Sequence, residues 1–352
     1  MFPRGDSSRP VALPCGELTV VSMPNLPKSD VSSAALPLVA CAGMVVVDHL
    51  TPPIARLPRA GELVPVDQLV LNIGGGAATT AVDLTRLGVG VSICARVGDD
   101  IFGRFASETL VAHGVDVKAL RIDPRRATSQ TLIVNVRGED RRFIHSLGAN
   151  REFTSADIDQ VLDPPARVLH IGYFLILPGL DAGGLAERFA RARKSGTKTV
   201  LDVATPGPGN YLEPLRTVLP HTDVFVPNTD EATLILGEED PVRQARIFHD
   251  MGARRVVITR GEHGLISVSD EQSLRVGAYP VDFVDGSGGG DAFDAGYIVG
   301  LLEDRSELDC LKLASAVGAS CVRAVGTTAG VFDRSEAEEV LRRHELAVES
   351  LA

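Results

Sequence analysis

The chain has 352 residues, 44% hydrophobic and 23% charged, enough for one large α/β domain with a sizeable buried core. Its formal net charge of −11 excludes a broad nucleic-acid surface but not a small anion held by backbone amides at a helix start. Five cysteines, odd in number and too scattered for a zinc pattern, fit a reduced, cytoplasmic chain.

Residues 1–36 hold five prolines and six serines without periodicity and read as a flexible tail; the prolines also break any signal-peptide core. No run of about 18 apolar residues follows, so no membrane span is expected. Globular sequence starts with "LPLVACAGMVVVD" (36–48), read as one Val-rich buried strand with Asp48 emerging at its end. Residues 49–72 read as loop and short strands, and "GGGAATTAVDLTRLG" (74–88) switches to helical spacing. A strand at 91–98 and a glycine-ended helix at 100–114 come next. Runs at 118–123, 130–136 and 141–146 suggest short strands, grouped with 49–72 into a small separate sheet that would act as a lid. From "RVLHIG" to "RRVVIT" strands and helices alternate, which predicts a mostly parallel sheet with helices on both faces. Helical segments at 291–303, 307–323 and 335–347 close the chain.

The segment "VDFVDGSGGGDAFDAGYIVG" (281–300) changes character at its middle, from a strand-like start through three glycines to Asp291 and a helix. Such a loop leaves backbone N–H groups unpaired at the helix N-terminus, where the dipole adds roughly half a positive charge. Gly288, Gly289 and Gly290 can thus form an anion pocket. Asp291 alone would repel phosphate there, but it makes sense as a base if a substrate hydroxyl lies between it and the phosphate. A plain helix-capping Asp fits the same residues.

Here the chain resembles the ribokinase-like, or PfkB-type, carbohydrate kinases. Asp285-Gly286-Ser287-Gly288-Gly289-Gly290-Asp291 is similar to the family's D-T-T-G-A-G-D signature, and residues 74–103 resemble its N-terminal signature. "PNTDEATLILG" (227–237) is similar to its Asn-x-x-Glu motif, and "ITRGEHG" (258–264) to its nucleotide-binding turn. The resemblance spans roughly 37–340, with the motifs in family order. It implies a ribokinase-like fold and phosphorylation of a sugar or sugar-like alcohol by ATP with Mg²⁺. Asp291 would be the base and Gly288, Gly289 and Gly290 the anion hole. Asn228 and Glu231 would organise Mg²⁺ through water, and Thr259, Gly261 and Gly264 would contact nucleotide. Asp285 and Ser287 match positions that support a monovalent cation such as K⁺. Asp48, Gly74, Gly75, Thr79 and Asn150 would line the sugar site. The resemblance also implies a homodimer paired through the lid.

Local alternatives stand beside several of these roles: a turn residue for Asp48 or Asp285, a strand-end Asn and helix-surface Glu for Asn228 and Glu231, and a plain turn around Gly261. His49, His145 and His170 show no metal spacing and read as structural or surface residues. Val46-Val47-Asp48 stands where ribokinase has Asn-x-Asp, and Gly74-Gly75-Gly76-Ala77-Ala78-Thr79 where it has Gly-Gly-Lys-Gly-Ala-Asn, which puts ribose in doubt. A nucleoside kinase and a non-catalytic sugar or nucleotide sensor are the competing readings. A nicotinamide-dependent oxidoreductase does not fit, because Thr79 replaces the third glycine of the dinucleotide fingerprint and Cys94 stands where an acid is needed. No P-loop sequence occurs.

Overall fold

The computed structural model describes residues 37–139 and 141–351, so the expected tail at 1–36 lies outside the described residues. The first strand, β1 (Val39–Gly43), is buried throughout, with Val39 and Cys41 in one apolar cluster and Ala40 and Ala42 in another. That two-sided burial is why it reads as a continuous apolar run rather than an alternating one. After Met44 and Val45 the chain changes sheets and pairs again as β2 (Val46–Leu50). The run at 36–48 is therefore two strands, and Asp48 sits within the second instead of at a strand end. β3 (Val70–Gly74) follows a largely irregular stretch and leads into α1 (Gly76–Arg86).

β4 (Val91–Gly98) and α2 (Ile101–Ala112) lie where the spacing predicts them. Asp100 caps α2 by accepting the Gly103 N–H. β5 (Asp116–Asp123) corrects an expectation: it pairs in parallel with β4 and joins the large sheet, not the small one. β6 (Gln130–Val134) and β7 (Arg142–Ser146) do join β2 and β3, giving a four-stranded sheet in the order β3-β2-β6-β7.

The rest of the chain builds outward from β1. A short α3 (Ser155–Ile158) precedes β8 (Val168–Gly172), α4 (Ala182–Lys194), β9 (Lys198–Leu201), α5 (Leu212–Val218) and β10 (Val224–Phe225). Then come α6 (Thr229–Leu236), α7 (Pro241–Asp250) and β11 (Arg255–Thr259). An antiparallel edge, which periodicity did not reveal, is made by β12 (Leu265–Ser269), β13 (Ser273–Val276) and, after three helices, β14 (Val348–Ser350). Those helices are α8 (Gly289–Leu302), α9 (Glu307–Cys321) and α10 (Arg334–Arg343). The ten-stranded sheet runs β14-β13-β12-β11-β10-β9-β8-β1-β4-β5. One apolar cluster joins it to α1, α2, α8, α9 and α10, the other to α3 through α7, so both faces are covered.

α8 is the buried centre of the first layer, apolar on nearly every side and packed between α1 and α9. Small residues permit the close approach: a Cβ on Gly296 would stand 2.8 Å from the Ala314 Cα. The segment before α8, read as strand-like from sequence, has no regular structure, and Phe283 within it is 71% exposed. No described helix is long and apolar enough to cross a membrane.

Candidate active site

The start of α8 is where sequence and structure meet most directly. Gly288 holds φ at 75°, a left-handed turn that favours glycine, and its carbonyl accepts the Ala292 N–H at 2.9 Å. Among the described residues, the N–H groups of Gly289, Gly290 and Asp291 donate to no acceptor in the chain. A Cβ on Gly290 would meet nothing within 4 Å, so the first turn of the helix faces open space. Beside it Asp291 is only 3% exposed. Its Oδ2 accepts a hydrogen bond of 3.1 Å from the Tyr173 hydroxyl, and its Oδ1 has no partner among the described residues. Burial pushes the Asp291 carboxyl well above the usual range, and the nearby charges of Asp294, Glu231 and Asp48 add to this; the Tyr173 hydrogen bond works the other way.

More acidic groups converge on the same end of the large sheet. Asp294 lies one turn along α8 and meets His170 of β8 at 3.1 Å, both fully buried. Asp202 follows β9 directly and is raised by burial, then by Asp294, Glu231 and Asp291. Asn228 and Glu231 form a reciprocal cap at the start of α6: Asn228 Oδ1 accepts the Glu231 N–H at 2.8 Å, and Glu231 Oε2 accepts the Asn228 N–H at 2.9 Å. Burial pushes the Glu231 carboxyl up to about 7. Asn228 also bridges to Thr259 at the end of β11, so these two motifs, far apart in sequence, are neighbours. Gly261 and Gly264 close the tight turn between β11 and β12.

The small sheet supplies a facing wall. Asp48 pairs across strands with Asn72 and Thr131, and Thr131 with His145. Directly opposed residues share a face, so Asn72, Asp48, Thr131 and His145 form one polar row. Thr131 Oγ1 and His145 Nδ1 lie 3.0 Å apart. Burial raises Asp48 to about 6, although Thr131 and His49 oppose the shift. A side chain at Gly74 would collide with the Asp48 carboxylate, and Gly75 precedes α1 with φ 89°. The other face of the small sheet carries Leu71, Leu132 and Ile144, which are 41%, 39% and 68% exposed.

The sequence model of the pfkB family carbohydrate kinases matches residues 38–333. The chain is 25% identical to ribokinase from Haemophilus influenzae over 304 residues, covering 85% of this chain and 96% of that protein. It is 29% identical to 2-dehydro-3-deoxygluconokinase from Thermoproteus tenax over 279 residues, covering 77% of this chain and 86% of the relative. Among solved structures, a putative ribokinase II from E. coli in complex with ATP and Mg²⁺ is 25% identical with a TM-score of 0.73, covering 88% of this chain and all (100%) of that one. Arabidopsis thaliana ribokinase, complexed with ribose and ATP, has the same fold at 22% identity and a TM-score of 0.75, covering 88% of this chain and 100% of that chain.

Two sequence-based expectations meet other partners. Asn150, expected in the sugar site, is fully buried; its amide donates to the Val45 carbonyl at 2.9 Å and accepts the Val45 N–H at 3.4 Å. It pins the crossing from β1 to β2. Asp285 and Ser287, expected around a monovalent cation, are bonded to the Arg141 guanidinium, while Asp285 also accepts the Ser287 N–H at 3.0 Å and the Gly326 N–H at 3.0 Å. The Thr79 hydroxyl is buried without a partner among the described residues, and the next residue, Thr80, donates to the Asp291 carbonyl at 3.4 Å. Sequence reasoning missed Tyr173, whose φ of 64° is unusual for a non-glycine residue and sets its ring against Gly76. Nothing in a Gly-Tyr pair after a strand signals that geometry. Replacing Asn150 with Leu, close in size, would leave the Val45 N–H and carbonyl unpaired. We expect a loss of about 1–3 kcal/mol, seen as a lower urea midpoint at unchanged slope.

Proposed function

The chain belongs to the pfkB family of carbohydrate kinases, and on that premise we propose that it transfers the γ-phosphoryl group of ATP to a primary hydroxyl of a sugar, with Asp291 as general base. The observation that carries this reading is the pairing of a buried, hydrogen-bonded carboxyl group with three amides that are unpaired among the described residues, at one helix start. The sugar would lie between Asp291 and the polar row of the small sheet. Asp291 Oδ1 would take the hydroxyl proton as the oxygen attacks the γ-phosphorus, the bond to the β-phosphate oxygen breaks, and ADP leaves. The Gly289, Gly290 and Asp291 N–H groups would stabilise charge on the migrating group without reorganising. Tyr173 would hold the Asp291 carboxylate in line.

No cluster of three or more metal-ligating side chains exists among the described residues. That suits Mg²⁺ held through waters and phosphate oxygens, with Glu231, Asn228 and Asp202 as the outer partners. When bound, Mg²⁺ supplies charge neutralisation on the triphosphate. Asn228, Thr259 and the Gly261–Gly264 turn would seat the nucleotide.

The small sheet would be the lid, built from β2, β3, β6 and β7, keeping water from competing as acceptor. Its polar row of Asp48, Asn72, Thr131 and His145 would read sugar hydroxyls, a mode that discriminates strongly because unmatched buried polar groups are costly. Its opposite face, with Leu71, Leu132 and Ile144 exposed, would pair two copies of the chain.

A panel of ribose, fructose, 2-dehydro-3-deoxygluconate and adenosine, assayed for ADP formation, tests the acceptor class; transfer to none of them would refute the sugar-kinase assignment made here. With the preferred acceptor, Asp291→Asn is expected to lose about 10²–10⁴-fold in kcat while calorimetry finds ATP affinity unchanged. Tyr173→Phe removes the hydroxyl that favours the charged form of Asp291, so the acid limb of the kcat/KM profile should move to higher pH; an unmoved limb would remove Tyr173 from the mechanism. Sedimentation should show a dimer for the wild type and a monomer for Ile144→Asp.

A further inference from the structure

Arg141 stands just before β7, at the end of the hairpin that joins β6 to β7 in the small sheet. Its guanidinium crosses to the loop in front of α8. There Nη1 donates to Asp285 Oδ1 at 2.7 Å and to the Ser287 hydroxyl, and the group lies 5.7 Å from the centre of the Phe143 ring. The Arg141 side chain is 26% exposed and that of Asp285 10%. Asp285 is already bound on three other sides: the Ser287 N–H at 3.0 Å and hydroxyl at 2.9 Å on Oδ1, and the Gly326 N–H at 3.0 Å on Oδ2. Ser287 in turn precedes Gly288, the left-handed residue that starts α8.

These contacts do not suit Asp285 and Ser287 as ligands of a free monovalent ion, because their oxygens already face one positive charge. A guanidinium carries the same unit charge as K⁺, but it arrives with the small sheet and is directional. We propose that Arg141 is a positioning residue of the transfer reaction: the small sheet delivers its guanidinium to Asp285 and Ser287, where it sets the anion loop and supplies the charge that a monovalent cation would otherwise provide. The kinase therefore needs no K⁺ while Arg141 is in place.

The inference rests on the phosphoryl-transfer reading of the α8 loop, and its test has one arm that does not depend on turnover. Wild type, Arg141→Ala and Arg141→Lys are compared in potassium chloride and in choline chloride at equal ionic strength. In thermal unfolding, the wild-type midpoint should be the same in both salts, whereas Arg141→Ala should melt higher in potassium chloride because an ion then binds the folded state. In turnover of the best acceptor from the sugar panel, wild-type kcat should not respond to K⁺. Arg141→Ala should fall about tenfold or more in choline chloride, the scale of one lost charge-assisted hydrogen bond, with KM little changed and partial recovery in potassium chloride. Arg141→Lys should lie between the two. A wild-type kcat raised severalfold by K⁺, or an Arg141→Ala enzyme equal to wild type in choline chloride, would overturn the proposal. If no sugar is turned over, the kinase reading fails at the panel, and the melting comparison still decides the role of Arg141.

Discussion

The site depends on one helix beginning without partners. An α-helix leaves its first amides unpaired unless something caps them, and α8 opens with Gly288, Gly289 and Gly290, which have no side chain to do so. Positive potential is thereby concentrated where the surrounding side chains are acidic. Asp48 and Glu231 are displaced from the ordinary 3.8 and 4.5 to about 6 and about 7, which amounts to roughly 3 kcal/mol each of disfavoured ionisation. Against a typical net stability of about 5–15 kcal/mol, that is a substantial cost. Because these folded-state values are raised, the stability they confer is whole below the free-carboxylate range and is lost as pH rises past about 6 and about 7.

Much of this was readable in advance where local rules act alone. Gly288-Gly289-Gly290-Asp291 and the Asn228/Glu231 pair have short-range signals, and the structure places both at helix starts. The β4 and α2 segments followed from apolar period and capping. Legibility ended where partners are set by the tertiary fold. A run of valines cannot announce that β1 stops at Gly43 and β2 starts at Val46 in another sheet, since both halves are buried β structure. Likewise β5 carries the same alternation whichever sheet it joins, and only its pairing with β4 decides. Asn150 was expected in the sugar site from the resemblance of its Gly148-Ala149-Asn150 segment; the Val45 backbone it bonds to is over a hundred positions away (|i−j| = 105).

The small sheet shows how one period-two pattern serves two ends. Alternate residues along β2, β3, β6 and β7 send Asp48, Asn72, Thr131 and His145 to one side and Leu71, Leu132 and Ile144 to the other. A register slip of one residue would exchange the faces and abolish both at once. The family resemblance implied a sugar wall of Asp48, Gly74, Gly75, Thr79 and Asn150; that Asn72, Thr131 and His145 share a face with Asp48 was invisible, because strands that pair non-locally bring them there.

The clip between Asn150 and Val45 has a mechanical consequence. Val45 is where the chain first departs for the small sheet, and Asn150 is where it comes back after the last strand of that sheet. Fastening the point of departure to the point of return ties the two crossings together, and parting them would mean tearing a buried amide from its two backbone partners.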